Sequence, residues 1–370
     1  MKVSRRKKKT LLKKSIAALF LIAVVVLLVS FTQNVDWTEV LHAILAYNRQ
    51  VVYLITGLVA ISYLLYGVYD LLGRAYCRHP LPRLQVLLVS MICYAFNFTL
   101  GAWVGGVGMR FRLYSRLGLK SSTITKMFSL SIATNWLGYI LLAGGVFAFG
   151  PLHMPGNWVI GDVALRLIGY TLLLVIVGYL WSCAFSHRRR LSFRGMKFSL
   201  PSLKMAFLQL LVSSLNWLIM GGIIWLLLGQ KADFIMVFGV LLIASIACLV
   251  ANVPAGIGVL EAIFLALLAG RPFTHGEIIA ALLAYRALYY IAPLIVALGP
   301  YLWLEGRARK LRTKNLQALA TLPEETRYAV TRPQASAQKT GSLSSLFSFH
   351  SPCRAISGGC PADAASSGTG

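Results

Sequence analysis

Charge is scarce in this chain of 370 residues. Only 13% of it is charged, against about 25% in a soluble globular domain, and 11 acidic residues face 36 basic ones. No aspartate cluster offers itself to a metal. The six cysteines (Cys77, Cys93, Cys183, Cys248, Cys353 and Cys360) contain no C-x-x-C pair, and the six histidines are scattered near helix ends. Neither set has zinc-ligand spacing, so reduced, structural cysteines are the default. G-x-x-x-x-G-K-[ST], H-E-x-x-H and G-x-S-x-G are also missing, which argues against ATP-driven pumping by this chain, zinc proteolysis and serine hydrolysis. No cofactor is expected, and enzymatic activity carries no signature.

What is abundant is apolar chain. Hydrophobic residues make up 58% of the sequence and the mean hydropathy is +0.71, values of an integral membrane protein. Apolar runs lie at Ile16 to Phe31, Val51 to Gly73, Met127 to Pro151, Ala164 to Phe185, Met205 to Gly229 and Ile278 to Leu304. Most reach the ~20 residues that a hydrocarbon core of about 30 Å demands. The first, behind a basic stretch, lacks a small-residue cleavage site and reads as a retained helix. The formal charge of +25 does not point to nucleic acid, because the positives form blocks at helix ends: Lys2 to Lys14, Arg74 to Arg83, Arg110 to Lys126, His187 to Lys204 and Arg307 to Lys314. That placement follows the positive-inside rule and suits anionic headgroups.

Two glycine-rich stretches, GGVGMRFR from Gly105 and AGIGVLEA from Ala255, interrupt apolar segments 150 positions apart. Glycine costs a helix interior about 1 kcal/mol and proline, here Pro254, about 3. Breaks of this kind survive in lipid only where protein or a water-filled cavity covers the freed backbone groups. Charge placement decides the topology. If Leu84 to Gly108 crossed once, Arg110, Arg112, Arg116, Lys120 and Lys126 would face outward. If it dips in and returns, they become cytoplasmic, and the Lys- and Arg-free loop Leu152 to Asp162 becomes external. The expected fold class is therefore an all-α polytopic membrane protein with an inverted-topology repeat of two interrupted, re-entrant helical hairpins. The repeat halves run from about 51 to 150 and from 205 to 304, with Gly106 and Gly256 at the turns and both termini cytoplasmic. Tyr139 and Tyr289 keep the same register. Residues 1 to 318 form the transmembrane domain. The segment Asp36 to Asn48 reads equally as an interfacial helix or a packing face, and 319 to 370 as a disordered tail.

Ionisable residues at membrane depth are costly and are functional candidates by default. Arg110 and Arg112 follow the first glycine turn, Glu261 follows the second, and Arg286 lies in the last spanning helix. An arginine beside glycine amides at Gly106, Gly108, Gly256 or Gly258 suits a phosphate, although interfacial anchoring explains Arg110 and Arg112 as well. Glu261 and Arg286 are read either as a buried ion pair or as substrate contacts. Asp70 is expected to cap its helix or to pair with Arg74. Asn97, Asn135, Asn216 and Asn252 either line a cavity or bond neighbouring helices.

AGIGVLE at Ala255 to Glu261, GGVGMRFRLY at Gly105 to Tyr114 and LLAYRALYY at Leu282 to Tyr290 resemble the transmembrane family of lysylphosphatidylglycerol synthase/flippases. The resemblance is strongest to the family's YbhN-like inner-membrane branch and covers nearly all of Met1 to about Ala318. It implies lipid handling in a bacterial inner membrane, with phospholipids as partners; the alternatives are a non-catalytic partner of a phospholipid synthase and an intramembrane lipid-modifying enzyme. The soluble aminoacyl-transferase domain of the larger members is missing, so lysyl transfer is not implied. The family motif transfers to Pro254, Gly256, Gly258 and Glu261, and less securely to Arg110 and Arg286.

Overall fold

Long apolar runs become helices because hydrocarbon offers backbone groups no partner outside the segment. The computed structural model describes residues 47–150, 161–185, 190–193, 196–251, 256–270 and 273–320. The first apolar run, most of the Asp36 to Asn48 segment and the C-terminal tail lie outside these residues.

Helix α1 spans Arg49–Cys77, opened by the Asn48 side chain, which accepts the Gln50 N–H at 3.1 Å. It ends at Arg78, in the left-handed region at φ 49°. Then come α2 (Arg83–Gly101), a π-helical segment (Ala102–Gly108), α3 (Met109–Arg116), α4 (Ser121–Phe149) and α5 (Asp162–Phe185). The second part contains α6 (Leu203–Leu227), α7 (Phe234–Ala251), α8 (Val259–Leu268), α9 (His275–Arg286), a π turn (Ala287–Ile291) and α10 (Ala292–Ala320). Among the described residues, seven stretches are long and apolar enough to cross a membrane, judged by length and composition: α1, α2, α4, α5, α6, α7 and His275–Ala308. Among the described residues the one sheet is a short antiparallel hairpin in the basic loop before α6. It pairs β1 (Arg190–Phe193) with β2 (Met196–Ser199), and the sequence carried no expectation of it.

Helices α1, α4 and α6 pack on one another, with α2 against α1 and α10, and α7 against α6. A Cβ at Gly138 would sit 2.2 Å from Ser213 Oγ, so α4 and α6 cross at a distance only a small residue permits. Helix α5 packs chiefly on α4 and leaves Leu167, Leu174 and Trp181 exposed, an apolar face suited to lipid.

The first glycine stretch does not make the turn expected of it. A Cβ at Gly105 would lie 2.1 Å from the Phe96 carbonyl oxygen, and one at Gly106 2.5 Å from Asn97 Oδ1. In one straight helix residues nine apart are separated by about 13.5 Å, so the chain reverses midway between them. Gly101 lies there, with φ 83° and ψ 168°. Gly106 is a buried contact on the returning arm, and the turn stands five residues earlier. Helix α2 has 19 residues, or about 28 Å. In the second glycine stretch Gly256 and Gly258 have φ 61° and 81°, the left-handed region that glycine favours. Pro254 lies outside the described residues.

Candidate functional site

Two charge pairs are built into the helices. In the first, Asp70 of α1 is 1% exposed and Arg110 of α3 is 3% exposed. Arg110 Nη2 donates to Asp70 Oδ1 at 3.0 Å and Nε to Oδ2 at 3.4 Å. Tyr114 Oη and Ser131 Oγ each donate to the same carboxylate at 2.8 Å. The guanidinium also lies 4.5 Å from the Tyr94 ring centroid and 5.0 Å from that of Phe128. One carboxylate thus joins α1, α3 and α4, and its cation stacks on α2. The expected Asp70–Arg74 contact is replaced: Arg74 Nε donates to the Leu81 carbonyl at 2.6 Å instead. In that loop, burial and then Arg74 push the His79 imidazole down to about 4, so near neutral pH the basic block from Arg74 to Arg83 is carried by its arginines.

The second pair sits at the Gly256–Gly258 turn. Arg286 Nε donates to Glu261 Oε1 at 2.8 Å and Nη2 to Oε2 at 3.0 Å. Nη2 also reaches the Gly256 carbonyl at 3.2 Å. Glu261 Oε2 accepts the Gly258 N–H at 2.9 Å, which places the carboxylate at the N-terminus of α8, where the helix dipole favours it. The left-handed glycines make this geometry. A Cβ at Gly256 would press on Cys248 Sγ at 2.7 Å, whereas the space beside Gly258 is open. Arg286 is 3% exposed but Glu261 is 19% exposed. This pair is reached from outside; the Asp70 pair is closed.

The remaining candidates separate. Arg112 Nη2 meets Glu305 Oε1 of α10 at 3.1 Å, and Arg116 pairs with the same carboxylate. Arg112 is 31% exposed, and ion pairs of that kind contribute about 0–1 kcal/mol. Gly106 and Gly108 belong to the π-helical segment. Between the two charge pairs runs a buried polar and aromatic seam. Ser62 Oγ lies 2.6 Å from both Asn216 Oδ1 and Tyr289 Oη. Tyr63 Oη donates to the Tyr289 carbonyl at 3.0 Å. That carbonyl precedes Pro293 by four residues, and proline has no N–H to offer it. Of this seam, Asn216 and Tyr289 carried a signal in the sequence. Ser62 had no signal, whereas Asp70, an acid inside a long apolar run, could have been flagged by the cost of a charge at membrane depth.

Long apolar helices, glycine-broken arms and interior charge pairs define a polytopic integral membrane protein. Residues 15–297 match the family described as the lysylphosphatidylglycerol synthase TM region, and the chain belongs to that family. It is 58% identical over 301 residues to the inner membrane protein YbhN of Escherichia coli, covering 81% of this chain and 95% of that protein. It is 28% identical over 267 residues to an uncharacterized Synechocystis protein, covering 70% and 81% of the two chains. It is also 25% identical over 295 residues to a phosphatidylglycerol lysyltransferase of Staphylococcus haemolyticus, covering 75% of this chain and 32% of that one. The apolar helices and the inner-membrane relative support a multi-pass inner-membrane location.

Proposed function

We propose that this protein moves phospholipids, anionic or aminoacylated, across the inner membrane, with the Glu261–Arg286 turn as the headgroup site. The observation that carries the reading is that turn: a charge pair among apolar helices, one partner partly exposed, beside open space at Gly258. Arg286 would take the phosphate, the Gly256 and Gly258 backbone would approach it closely, and Glu261 would meet a cationic headgroup. In this reading Arg110 joins the site only in a conformation where a phosphate displaces Asp70, and Gly106, Gly108 and Arg112 hold the first arm in place.

The reading includes two re-entrant hairpins related as an inverted repeat. In its support, α1 and α2 end at 77 and 101 and α3 begins at 109, while α6 and α7 end at 227 and 251 and α8 begins at 259. Each correspondence is 150 residues. The two tyrosines in matching register each reach into the other half: Tyr139 Oη donates to the Leu242 carbonyl of α7 at 2.8 Å, and the Tyr289 ring lies 5.4 Å from Phe98 of α2. A second reading, a non-catalytic partner of a phospholipid synthase, is favoured by the match to only 32% of a lysyltransferase.

Fluorescent phosphatidylglycerol in protein-containing vesicles is expected to become quenchable from outside in both leaflets, against one leaflet in protein-free vesicles. Quenching of one leaflet in both preparations would leave the partner reading. Topology is tested separately. Single cysteines at Lys120 and at Asn157, the latter outside the described residues, are expected to label from opposite sides of the membrane. External labelling at both would exclude the re-entrant arrangement of the first hairpin.

A further inference from the structure

A cavity of about 230 Å³ lies between α1, α2 and α10, apart from both charge pairs. We infer that it holds one acyl chain of a membrane glycerophospholipid in a fixed position against the protein. Its walls leave no hydrogen-bonding work for a polar ligand. The two side-chain hydroxyls that face it are already engaged, Thr56 Oγ1 with the Val52 carbonyl at 2.8 Å and Tyr63 Oη with the Tyr289 carbonyl at 3.0 Å. The rest of the lining is apolar, including Met91 of α2 and Ala297 of α10. A water there would lack its two to four polar partners, whereas a dry apolar cavity of about 150 Å³ already accommodates benzene.

Shape selects a chain over a ring. The lining runs from Thr56 to Tyr63 along α1 and from Ala292 to Pro300 along α10, so the crevice is about 10–12 Å long and parallel to the helix axes. Small residues, Ala60 and Ala292, set its width. Pro293 and Pro300 lie seven residues apart, two turns along one face, and both line it. Tyr63 is at the middle of the 29-residue α1, so the crevice runs from the middle of that helix toward its N-terminal end. Beside it the surface is apolar and exposed at Ile61 and Leu64 of α1 and Ile295 and Leu302 of α10, so hydrocarbon is the medium it opens onto. The acyl site stands whether or not the protein moves lipid.

Phosphatidylglycerol with a diazirine on one acyl chain, reconstituted with the full protein and irradiated, is expected to label residues 56–63 and 292–300 preferentially. Ala60→Phe and Ala292→Phe, both at exposed positions that tolerate bulk, should each lower that labelling at least about fivefold by filling the crevice. Ile295→Phe, which faces outward next to it, should not. Labelling equally dense on the exposed face of α5, at Leu174 and Trp181, or unchanged in both filling variants, would overturn the inference. Labelling without lipid movement in the quenching assay would keep the acyl site and remove the translocator; movement without labelling would do the reverse.

Discussion

Glu261→Gln is expected to stop phospholipid movement in reconstituted vesicles while leaving the protein folded. The amide keeps an acceptor for the Gly258 N–H, and Arg286 keeps the Gly256 carbonyl at 3.2 Å. Glu261 is 19% exposed, but the guanidinium it leaves behind, Arg286, is 3% exposed, so the stability loss should be about 3 kcal/mol, the low end for an unpaired buried charge, because the Gly256 carbonyl stays engaged. Movement should fall at least about tenfold, equivalent to about 1.4 kcal/mol of barrier. Adding Arg286→Gln should not restore it if the carboxylate meets the headgroup. In a purely structural pair the double variant leaves no unpaired charge, so stability and movement would return together. That joint recovery would remove Glu261 from the headgroup site.

The largest stability effect is expected at the other pair. Asp70→Asn and Arg110→Gln should each cost about 3–5 kcal/mol, because each strands a charge in surroundings where its partner was 1–3% exposed. Asp70→Asn also weakens the bonds from Tyr114 and Ser131, loosening α1, α3 and α4 from one another. The double variant should recover part of the loss, and denaturant titration of the purified protein would measure the coupling. An Arg110→Gln protein that unfolds like the wild type, yet binds anionic lipid less well than zwitterionic lipid, would move Arg110 from scaffold to headgroup site.

How far the sequence could be read depended on the range of each interaction. Membrane character, the helices at α1, α4, α5 and α6, and the left-handed turn at Gly256 all follow from properties of a few consecutive residues. Glu261 and Arg286 were legible as partners because both are charges in apolar surroundings and few alternatives exist. Three features were decided by tertiary structure. Gly101, not Gly106, makes the first turn, because a glycine needed for close approach and one needed for positive φ look alike in a sequence. Asp70 takes Arg110, 40 residues away, over Arg74 one turn along, because packing of α3 on α1 and α4 brings one guanidinium and two hydroxyls to a carboxylate that lipid cannot solvate. Thr56 and Tyr63 spend their hydroxyls on backbone carbonyls, which leaves hydrocarbon facing the crevice. Hydropathy and helix breaks are local quantities and are written along the chain. The choice of partner for a buried charge or hydroxyl is made by the helices that surround it, since desolvation penalises every group that the fold fails to pair.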